Sequence, residues 1–290
     1  MKKHILDLTV RSVEHVHERY VLLKLTIDDP LPAMLPGQFL EVRVDGSPST
    51  FLRRPISINF VDRESNELWL LVACVGDGTR RLAQLHAGEI LNCVLPLGRG
   101  FDVGTGETCC DAPTPSRKGR RALLVGGGVG VAPLLFLGKV LRDAGTEVTF
   151  LLGARTGADL LLLDEFGRYG RVLVTTEDGS MGERGFVTQH SVLRKEQFDI
   201  IQCCGPTPMM RAVVDYAYET DTRCQVSLEN MMACGLGACL CCVEKIRDKG
   251  DNGQCSMDNG QCSTDNGQWH NVCVCKDGPV FDKEELLWHD

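Results

Sequence analysis

Four cysteines near the C-terminus have the spacing of ligands for an iron–sulfur cluster. Four residues separate Cys234 from Cys239, two separate Cys239 from Cys242, and Cys275 lies far downstream. Three thiolates from one short loop with a distant fourth are typical of the plant-type [2Fe–2S] centre. Such a centre carries single electrons, so the spacing favours an electron-transfer protein.

Two glycines and two further cysteines bear on this interpretation. Gly235 and Gly237 predict a loop with positive φ, in which amide N–H groups approach sulfur. A structural zinc site is the alternative, although zinc ligands usually come as two short-spaced pairs, and only one residue separates Cys273 from Cys275. Cys241 and Cys273 each flank a predicted ligand and could compete for iron, so the fourth ligand stays open.

A repeated segment separates the third and fourth predicted ligands. Copies of Asp-Asn-Gly-Gln begin at Asp251, Asp258 and Asp265, and Cys255 and Cys262 lie in the first two copies. The Asn-Gly pairs predict turns, and the seven-residue period lacks the apolar seam of a coiled coil. We therefore expect a surface hairpin whose two cysteines are not ligands.

Length and composition bound the class of protein. The 290 residues leave room for two domains and an appendage, and 43% hydrophobic content predicts packed cores. Fifteen cysteines without a signal-peptide pattern indicate a reducing cytoplasm rather than a secreted disulfide scaffold. No uncharged stretch is long enough to span a membrane, and a net charge of −8 argues against nucleic acid as a partner.

The pattern along the chain predicts two domains followed by a cysteine-bearing segment. Short Val-, Leu- and Ile-rich runs between Pro and Gly, at 20–27, 39–44 and 68–74, predict a β-barrel over residues 1–103. Residues 104–120 are polar and turn-rich, which predicts a linker. Over 121–225, apolar strands alternate with helical segments, among them a helix predicted at 134–144, and predict an α/β domain with a parallel sheet. Residues 226–290 form the predicted cluster-binding segment, with the repeats inserted at 251–268.

A glycine-rich stretch follows the first strand of the predicted α/β domain. Residues 125–134 read Val-Gly-Gly-Gly-Val-Gly-Val-Ala-Pro-Leu. Such a turn lets a diphosphate lie on backbone amides at a helix N-terminus, although Val131 replaces the third glycine of the dinucleotide fingerprint, and tight packing alone would also explain it. The motif Cys204-Gly-Pro-Thr-Pro-Met209 follows the last predicted strand. Both motifs fall at carboxyl ends of strands, where open α/β sheets bind ligands.

Two polar breaks interrupt the apolar pattern of the N-terminal domain. They are Arg53-Arg-Pro-Ile-Ser-Ile58 and Gly76-Asp-Gly-Thr79. An arginine can clamp a phosphate and a serine hydroxyl can hydrogen-bond a ring nitrogen. A hairpin corner with a surface arginine would have the same composition.

The order of these motifs resembles the ferredoxin reductase superfamily. There, Arg-x-x-Ser lies on a flavin-binding barrel, while Gly-Gly-Gly-x-Gly-x-Ala-Pro and Cys-Gly-Pro-x-Pro-Met lie on a nicotinamide-binding domain. The cysteine loop directly behind that domain narrows the resemblance to the electron-transfer subunits of class B dihydroorotate dehydrogenases. The segments that carry the resemblance span nearly the whole chain: 54–57, 78–79, 126–133, 153–156, 204–209, 227–239 and 275–281.

This resemblance implies three cofactors and a set of residues for each. In the family, Arg54 would contact the FAD diphosphate and Ser57 the isoalloxazine. The residues implied for FAD are Arg54, Pro55, Ile56, Ser57, Leu71, Val72, Ala73, Gly78 and Thr79. Those implied for NAD are Gly126, Gly127, Gly128, Gly130 and Pro133, with Cys204 as the candidate catalytic residue. The [2Fe–2S] cluster would be held by Cys234, Cys239, Cys242 and Cys275.

The implied function is electron transfer in pyrimidine synthesis. A partner catalytic subunit would oxidise dihydroorotate to orotate on its own FMN, and the electrons would pass through the cluster and FAD to NAD⁺. The expected assembly is a heterotetramer with two copies of each subunit. Two alternatives remain at this point: an NAD(P)H-linked reductase for a ferredoxin, sulfide or glutamate synthase partner, and a non-catalytic zinc-binding module.

Overall fold

Seven strands of the N-terminal region form one antiparallel sheet. The structure, a computed structural model, describes residues 2–104, 119–247 and 269–288. The strands are β1 (His4–His17), β2 (Tyr20–Thr26), β3 (Phe39–Val42), β4 (Arg54–Ser57), β5 (Phe60–Asp62), β6 (Glu67–Ala73) and β7 (Ile90–Leu97). Their order is β4-β3-β7-β1-β2-β6-β5, and β4 contacts β6 without pairing with it. The sheet therefore curls into a half-barrel around an apolar interior, which confirms the predicted barrel-type β region.

The strand β1 was not expected from the sequence. Its buried hydrophobic side chains are Leu8 and Val10 alone, while Ile5 is exposed. A strand that buries so little lacks the kind of apolar run that predicted strands at 20–27, 39–44 and 68–74. It nevertheless pairs with both β2 and β7 and joins the two halves of the sheet.

A second sheet confirms the predicted parallel α/β region. Its strands are β8 (Arg121–Gly127), β9 (Glu147–Ala154), β10 (Arg171–Thr176), β11 (Glu183–Arg184), β12 (Ile200–Cys204), β13 (Arg223–Ser227) and, later in the chain, β16 (Val280–Asp282). Their order is β11-β10-β9-β8-β12-β13-β16, and only β16 runs antiparallel, against β13. The strands read as continuous apolar runs because helices and loops cover both faces of such a sheet.

The order of the parallel strands creates a crevice. From β8 the chain moves outward through β9, β10 and β11, and then crosses to β12 on the other side of β8. The carboxyl ends of β8 and β12 are therefore neighbours. After β8 the chain continues to β9 on one side, and after β12 it continues to β13 on the other. Open α/β sheets bind ligands at such a switch point.

Short helices connect the strands. They are α1 (Asp77–Leu82), α2 (Ala132–Asp143), α3 (Leu163–Gly167), α4 (Val192–Lys195), α5 (Thr207–Glu219) and α6 (Val274–Asp277), with 3₁₀ turns at Gly128–Val131, Gly157–Asp159, Val187–Gln189 and Lys283–Glu285. Pro133 lies in the first turn of α2, where its missing N–H costs no hydrogen bond. Within the described residues, no helix has the length and apolar character needed to cross a membrane.

The C-terminal segment adds a hairpin and an edge strand. The strands β14 (Val243–Arg247) and β15 (Trp269–Cys273) pair with each other. We call residues 228–242, between β13 and β14, the cysteine loop. The repeat region with Cys255 and Cys262, and residues 105–118 of the predicted linker, lie outside the described residues.

One buried asparagine ties the two sheets together. The side-chain amide of Asn59, which is inaccessible to solvent, donates to the carbonyl of Ala132 at 2.8 Å. The amide of Phe136 donates to the carbonyl of Asn59 at 3.1 Å. The ring of Phe60 packs edge-on against that of Phe136. These contacts hold α2, which begins at the crevice, against the half-barrel.

Candidate functional site

The cysteine loop directs backbone amides at sulfur atoms. Gly235 and Gly237 have φ angles of +65° and +80°. The amide of Leu236 donates to Cys234 Sγ at 3.3 Å, and the amide of Gly237 donates to Cys275 Sγ at 3.1 Å. The predicted positive φ and the predicted approach of amides to sulfur are both confirmed.

These amides favour the charged form of one thiol. Hydrogen bonds from backbone amides, that of Leu236 first, lower the pKa of Cys234 to about 6. Cys275 differs, because burial and then its interaction with the Cys242 thiol raise its pKa to about 12. Metal ligands must be deprotonated, so iron binding at Cys275 would release a proton.

The two cysteines that compete as fourth ligand make different contacts. Cys275 Sγ accepts the Gly237 amide, whereas Cys273 Sγ donates to the Gly237 carbonyl at 3.8 Å. A thiolate can accept a hydrogen bond but has no proton to donate. The Cys275 amide in turn donates to Cys242 Sγ at 3.4 Å. Cys239 and Cys241 are exposed.

The thiols of the cysteine loop and of Cys275 are suited to a cluster by their hydrogen bonds, but they are not already arranged around a common point. Across residues 2–104, 119–247 and 269–288, no three Cys, His, Asp or Glu side chains are grouped as a site for a metal ion. The eleven cysteines in these ranges are all free. The fit rests on the sulfur-directed amides and on the contacts that link Cys234, Cys242 and Cys275 through the loop.

A buried carboxyl group on the half-barrel faces this loop. Glu41 of β3 is 1% exposed. A methyl group added to Gly235 would lie 2.6 Å from Glu41 Cγ and 2.9 Å from its Oε1, so the carboxyl packs directly on the Gly235 backbone. Burial raises the pKa of Glu41 to about 7, although the charges of Arg53 and Arg54 lower it, and the charge of Cys234 raises it further. Sequence reasoning missed Glu41, because it lies in a short apolar strand without a recognisable motif.

The glycine-rich stretch and the Cys204 motif meet at the crevice. A methyl group on Gly130 would lie 2.5 Å from Gly205 Cα and 2.6 Å from the Cys204 carbonyl oxygen. Only a residue without a side chain allows the two strand ends to approach so closely. The motifs were expected at neighbouring strand ends, and the structure brings their backbones into contact.

The other residues of the glycine stretch have different roles. Methyl groups on Gly126 and Gly127 would lie 2.8 Å from Leu134 Cδ1 and 2.7 Å from Met209 Sδ, so these two glycines serve tight packing. Gly128, with φ +56°, opens to space: among the described residues, the Tyr20 hydroxyl, at 3.9 Å, is the only group within 4 Å of such a methyl. Tyr20, which sequence reasoning missed, therefore lies where the half-barrel meets the crevice.

Cys204 ends β12 inside the crevice wall. It is 8% exposed, and burial raises its pKa to about 12. The side chain is therefore a neutral thiol at neutral pH, and a thiolate nucleophile is not expected there. Its role as the candidate catalytic residue stays a prediction.

Arg54, the arginine predicted to bind FAD, differs from its neighbour Arg53 in its hydrogen bonds. Arg53 is held in the sheet, since its guanidinium donates to the carbonyls of Glu41 and Asn92 and to the Asn92 side chain. In the part of the chain that the structure describes, Arg54 donates only to the carbonyls of Leu52 and Arg53. Its Nε would lie 3.0 Å from a methyl group on Gly78, so the predicted Arg54 and Gly78 are brought together.

The predicted FAD residues fall into two groups, those that are partly exposed and those whose side chains are buried in the core. Arg54, Pro55 and Ser57 of β4 and Ala73 of β6 are partly exposed. Ile56, Leu71 and Val72 have side chains in the core, so only their backbone could contact a ligand. The Thr79 hydroxyl bonds to the Gly76 backbone and caps α1.

Comparisons with known proteins agree with this architecture. The protein-family model for the oxidoreductase NAD-binding domain matches residues 124–215. A solved structure of an NADH-dependent reduced ferredoxin-NADP oxidoreductase, described for flavin-based electron bifurcation, superposes with a TM-score of 0.76 at 30% identity and covers 97% of this chain and 90% of that one. The ferredoxin reductase of carbazole 1,9a-dioxygenase shares the fold, with a TM-score of 0.61 at 20% identity over 77% of this chain and 67% of that one. Fold and crevice together define an oxidoreductase of the ferredoxin reductase type.

Sequence relatives narrow the class further. The dihydroorotate dehydrogenase B (NAD(+)), electron transfer subunit, of Shouchella clausii is 39% identical over 252 residues, which cover 87% of this chain and 86% of the relative. The subunit of the same name from Streptococcus mutans is 35% identical over 283 residues and 97% of each chain. The chain belongs to the family of electron transfer subunits of dihydroorotate dehydrogenase B (NAD(+)).

Membership confirms the predicted family, fold class and oxidoreductase function. The relatives are named as the electron transfer subunits of a dihydroorotate dehydrogenase. The predicted FAD, NAD and [2Fe–2S] cofactors agree with the NAD-binding match, the reductase fold and the contacts that link the C-terminal cysteines. The domain boundaries and the individual site residues stay predictions.

Proposed function

We propose that this chain carries electrons from an FMN-containing dihydroorotate dehydrogenase subunit to NAD⁺, so that dihydroorotate becomes orotate. When bound, the cluster supplies one-electron transfer and FAD supplies the exchange between single electrons and hydride. The observation that carries the proposal is the cysteine loop. It connects directly to the sheet of the crevice, through β13, and packs on the half-barrel at Glu41 and Leu97. One loop thus contacts both parts of the molecule that the proposal requires.

The proposed cluster ligands are Cys234, Cys239, Cys242 and Cys275. Amides directed at Cys234 and Cys275 support thiolates there, as hydrogen bonds to sulfur stabilise its negative charge. Cys275 is preferred to Cys273 because the Cys273 thiol donates its proton to a carbonyl. Iron content of Cys273→Ser and Cys275→Ser variants tests this choice, and full loading of the Cys275 variant would overturn it.

The proposed FAD site lies at β4 and α1. Within residues 2–104, 119–247 and 269–288, Arg54 has no carboxylate partner among its hydrogen bonds, and it lies over Gly78, so its guanidinium can bind a diphosphate. Ser57 and Ala73 offer partly exposed surface for the ring system. The other proposed contacts, from Pro55, Ile56, Leu71, Val72 and Thr79, involve backbone or packing.

The proposed NAD site is the crevice between β8 and β12. Gly128 offers open space beside the backbone, and Gly130 keeps the two strand ends together. Gly126, Gly127 and Pro133 shape the turn from packing positions. Cys204, a neutral thiol, would be a weak hydrogen-bond donor rather than a nucleophile.

The proposed assembly contains two copies of each subunit and acts in the cytoplasm. Purification of this chain together with the dihydroorotate dehydrogenase subunit tests the proposal. The complex should oxidise dihydroorotate with NAD⁺, whereas this chain alone should only reduce artificial dyes with NADH. A complex that oxidises dihydroorotate without any response to NAD⁺ would contradict it.

A second candidate is an NADH-linked reductase subunit for a ferredoxin-type partner. The likeness to the NADH-dependent ferredoxin-NADP oxidoreductase over nearly the whole chain favours it. Reduction of added ferredoxin by the purified chain, with no gain of dihydroorotate oxidation on adding the dehydrogenase subunit, would select this candidate.

A further inference from the structure

Glu41 is a buried acid without a partner. Within the described residues, neither of its side-chain oxygens has a hydrogen-bond partner. Leaving such a group unsatisfied typically costs about 1–3 kcal/mol. A leucine or methionine would fill the same place in the apolar sheet at lower cost, so packing does not explain a glutamate here.

The carboxyl group of Glu41 is close to the cysteine loop and also feels two positive charges. It packs on the backbone of Gly235, the residue after a proposed cluster ligand. The charges of Arg53 and Arg54 act on the same carboxyl group. Since Arg53 is engaged by Asn92 and a backbone carbonyl, it does not form a hydrogen bond with the carboxylate. The negative charge is thus left to act on the cysteine loop.

We propose that Glu41 sets the reduction potential of the cluster held by the cysteine loop, through its charge and not as a ligand. A negative charge beside the loop disfavours the addition of an electron, and low solvent exposure weakens the screening of that effect. Groups around metal ligands commonly adjust potentials in this way. The inference rests on the proposed cluster, and it makes the driving force for electron transfer through the cluster depend on a residue of the half-barrel.

The test compares charge-changing and charge-keeping variants of the full-length chain. Iron and sulfide content is measured first, and the midpoint potential is then measured at pH 8.5 by a redox titration followed by EPR. Glu41→Gln and Glu41→Met remove the charge, whereas Glu41→Asp keeps it. Glu67→Gln is the matched control, because Glu67 is also buried in this sheet but pairs with Arg11 and the Trp69 indole.

The neutral variants should raise the midpoint potential. We expect at least a tenfold change in the one-electron equilibrium constant, which corresponds to about 59 mV. Glu41→Asp and Glu67→Gln should change that constant less than twofold. Equal potentials in all variants, an equal rise in Glu41→Asp, or loss of the cluster from both neutral variants would overturn the role of Glu41. A wild-type chain without iron and sulfide would instead overturn the proposed cluster itself.

Discussion

Replacing Gly130 with alanine should separate the two strand ends that form the crevice. The added methyl would lie 2.5 Å from Gly205 Cα, 2.6 Å from the Gly205 nitrogen and 2.6 Å from the Cys204 carbonyl oxygen. All three are backbone atoms, so no side chain can rotate away. The strand ends themselves must move.

The magnitude follows from the type of clash. Overpacking a well-packed site typically costs about 1–3 kcal/mol, and a backbone clash belongs in the upper half of that range. For a chain of this size each kcal/mol lowers the midpoint of thermal unfolding by roughly 2–4 °C. Because misplacement by about 1 Å can cost on the order of 100-fold in activity, we expect the KM for NADH to rise at least about tenfold.

The assay combines thermal unfolding with NADH-dependent dye reduction by the purified chain. Gly167→Ala is the matched control, since a methyl on Gly167, at the end of α3, would meet no atom of the described residues within 4 Å. That variant should be neutral, or more stable by up to about 1 kcal/mol. If Gly130→Ala matches wild type in both unfolding temperature and KM, the contact between the strand ends does not shape the nicotinamide site.

Three further predictions test the cofactors and the repeats. Serine in place of each proposed cluster ligand should remove iron and sulfide, whereas serine at Cys255 or Cys262 should leave both unchanged in a per-chain analysis. Arg54→Ala should weaken FAD retention by about 1.5–3 kcal/mol, as expected for a charge-assisted hydrogen bond. Chromatography of heat-released flavin measures how much FAD the variant and the wild type each retain. Finding only FMN in the wild type would refute the proposed FAD site. Deleting residues 251–264 should leave co-purification with the dehydrogenase subunit intact, and its loss with the cluster retained would identify the repeats as a docking element.

Much of the fold could be predicted because apolar runs and glycine turns are local signals. The predicted runs at Tyr20–Ile27 and Leu68–Cys74 correspond to β2 and β6 within one residue at either end. The predicted helix at Leu134–Ala144 corresponds to α2, which begins two residues earlier. The strand β1 was missed because its partners, rather than an apolar pattern of its own, hold it in the sheet.

The candidate site was predictable only in part, for a related reason. The cysteine spacing and the two glycines predicted the cysteine loop, because both signals lie within a few residues of each other in the sequence. The Arg-x-x-Ser spacing selected Arg54, but the role of Arg53 appears only in its hydrogen bonds to the distant Asn92. The contrast between Cys273 and Cys275 likewise appears only in their contacts with Gly237.

The sequence by itself determined the chemistry of this protein: thiols with the spacing of a cluster, a glycine turn for a nucleotide, and the family to which they belong. The tertiary structure alone decided which distant groups meet. It brought Gly130 against Gly205, Tyr20 towards Gly128, and the carboxyl of Glu41 against Gly235. Spacing along the chain fixes the geometry of residues that are close in sequence. Contacts between residues distant in sequence depend on how the two sheets pack against each other.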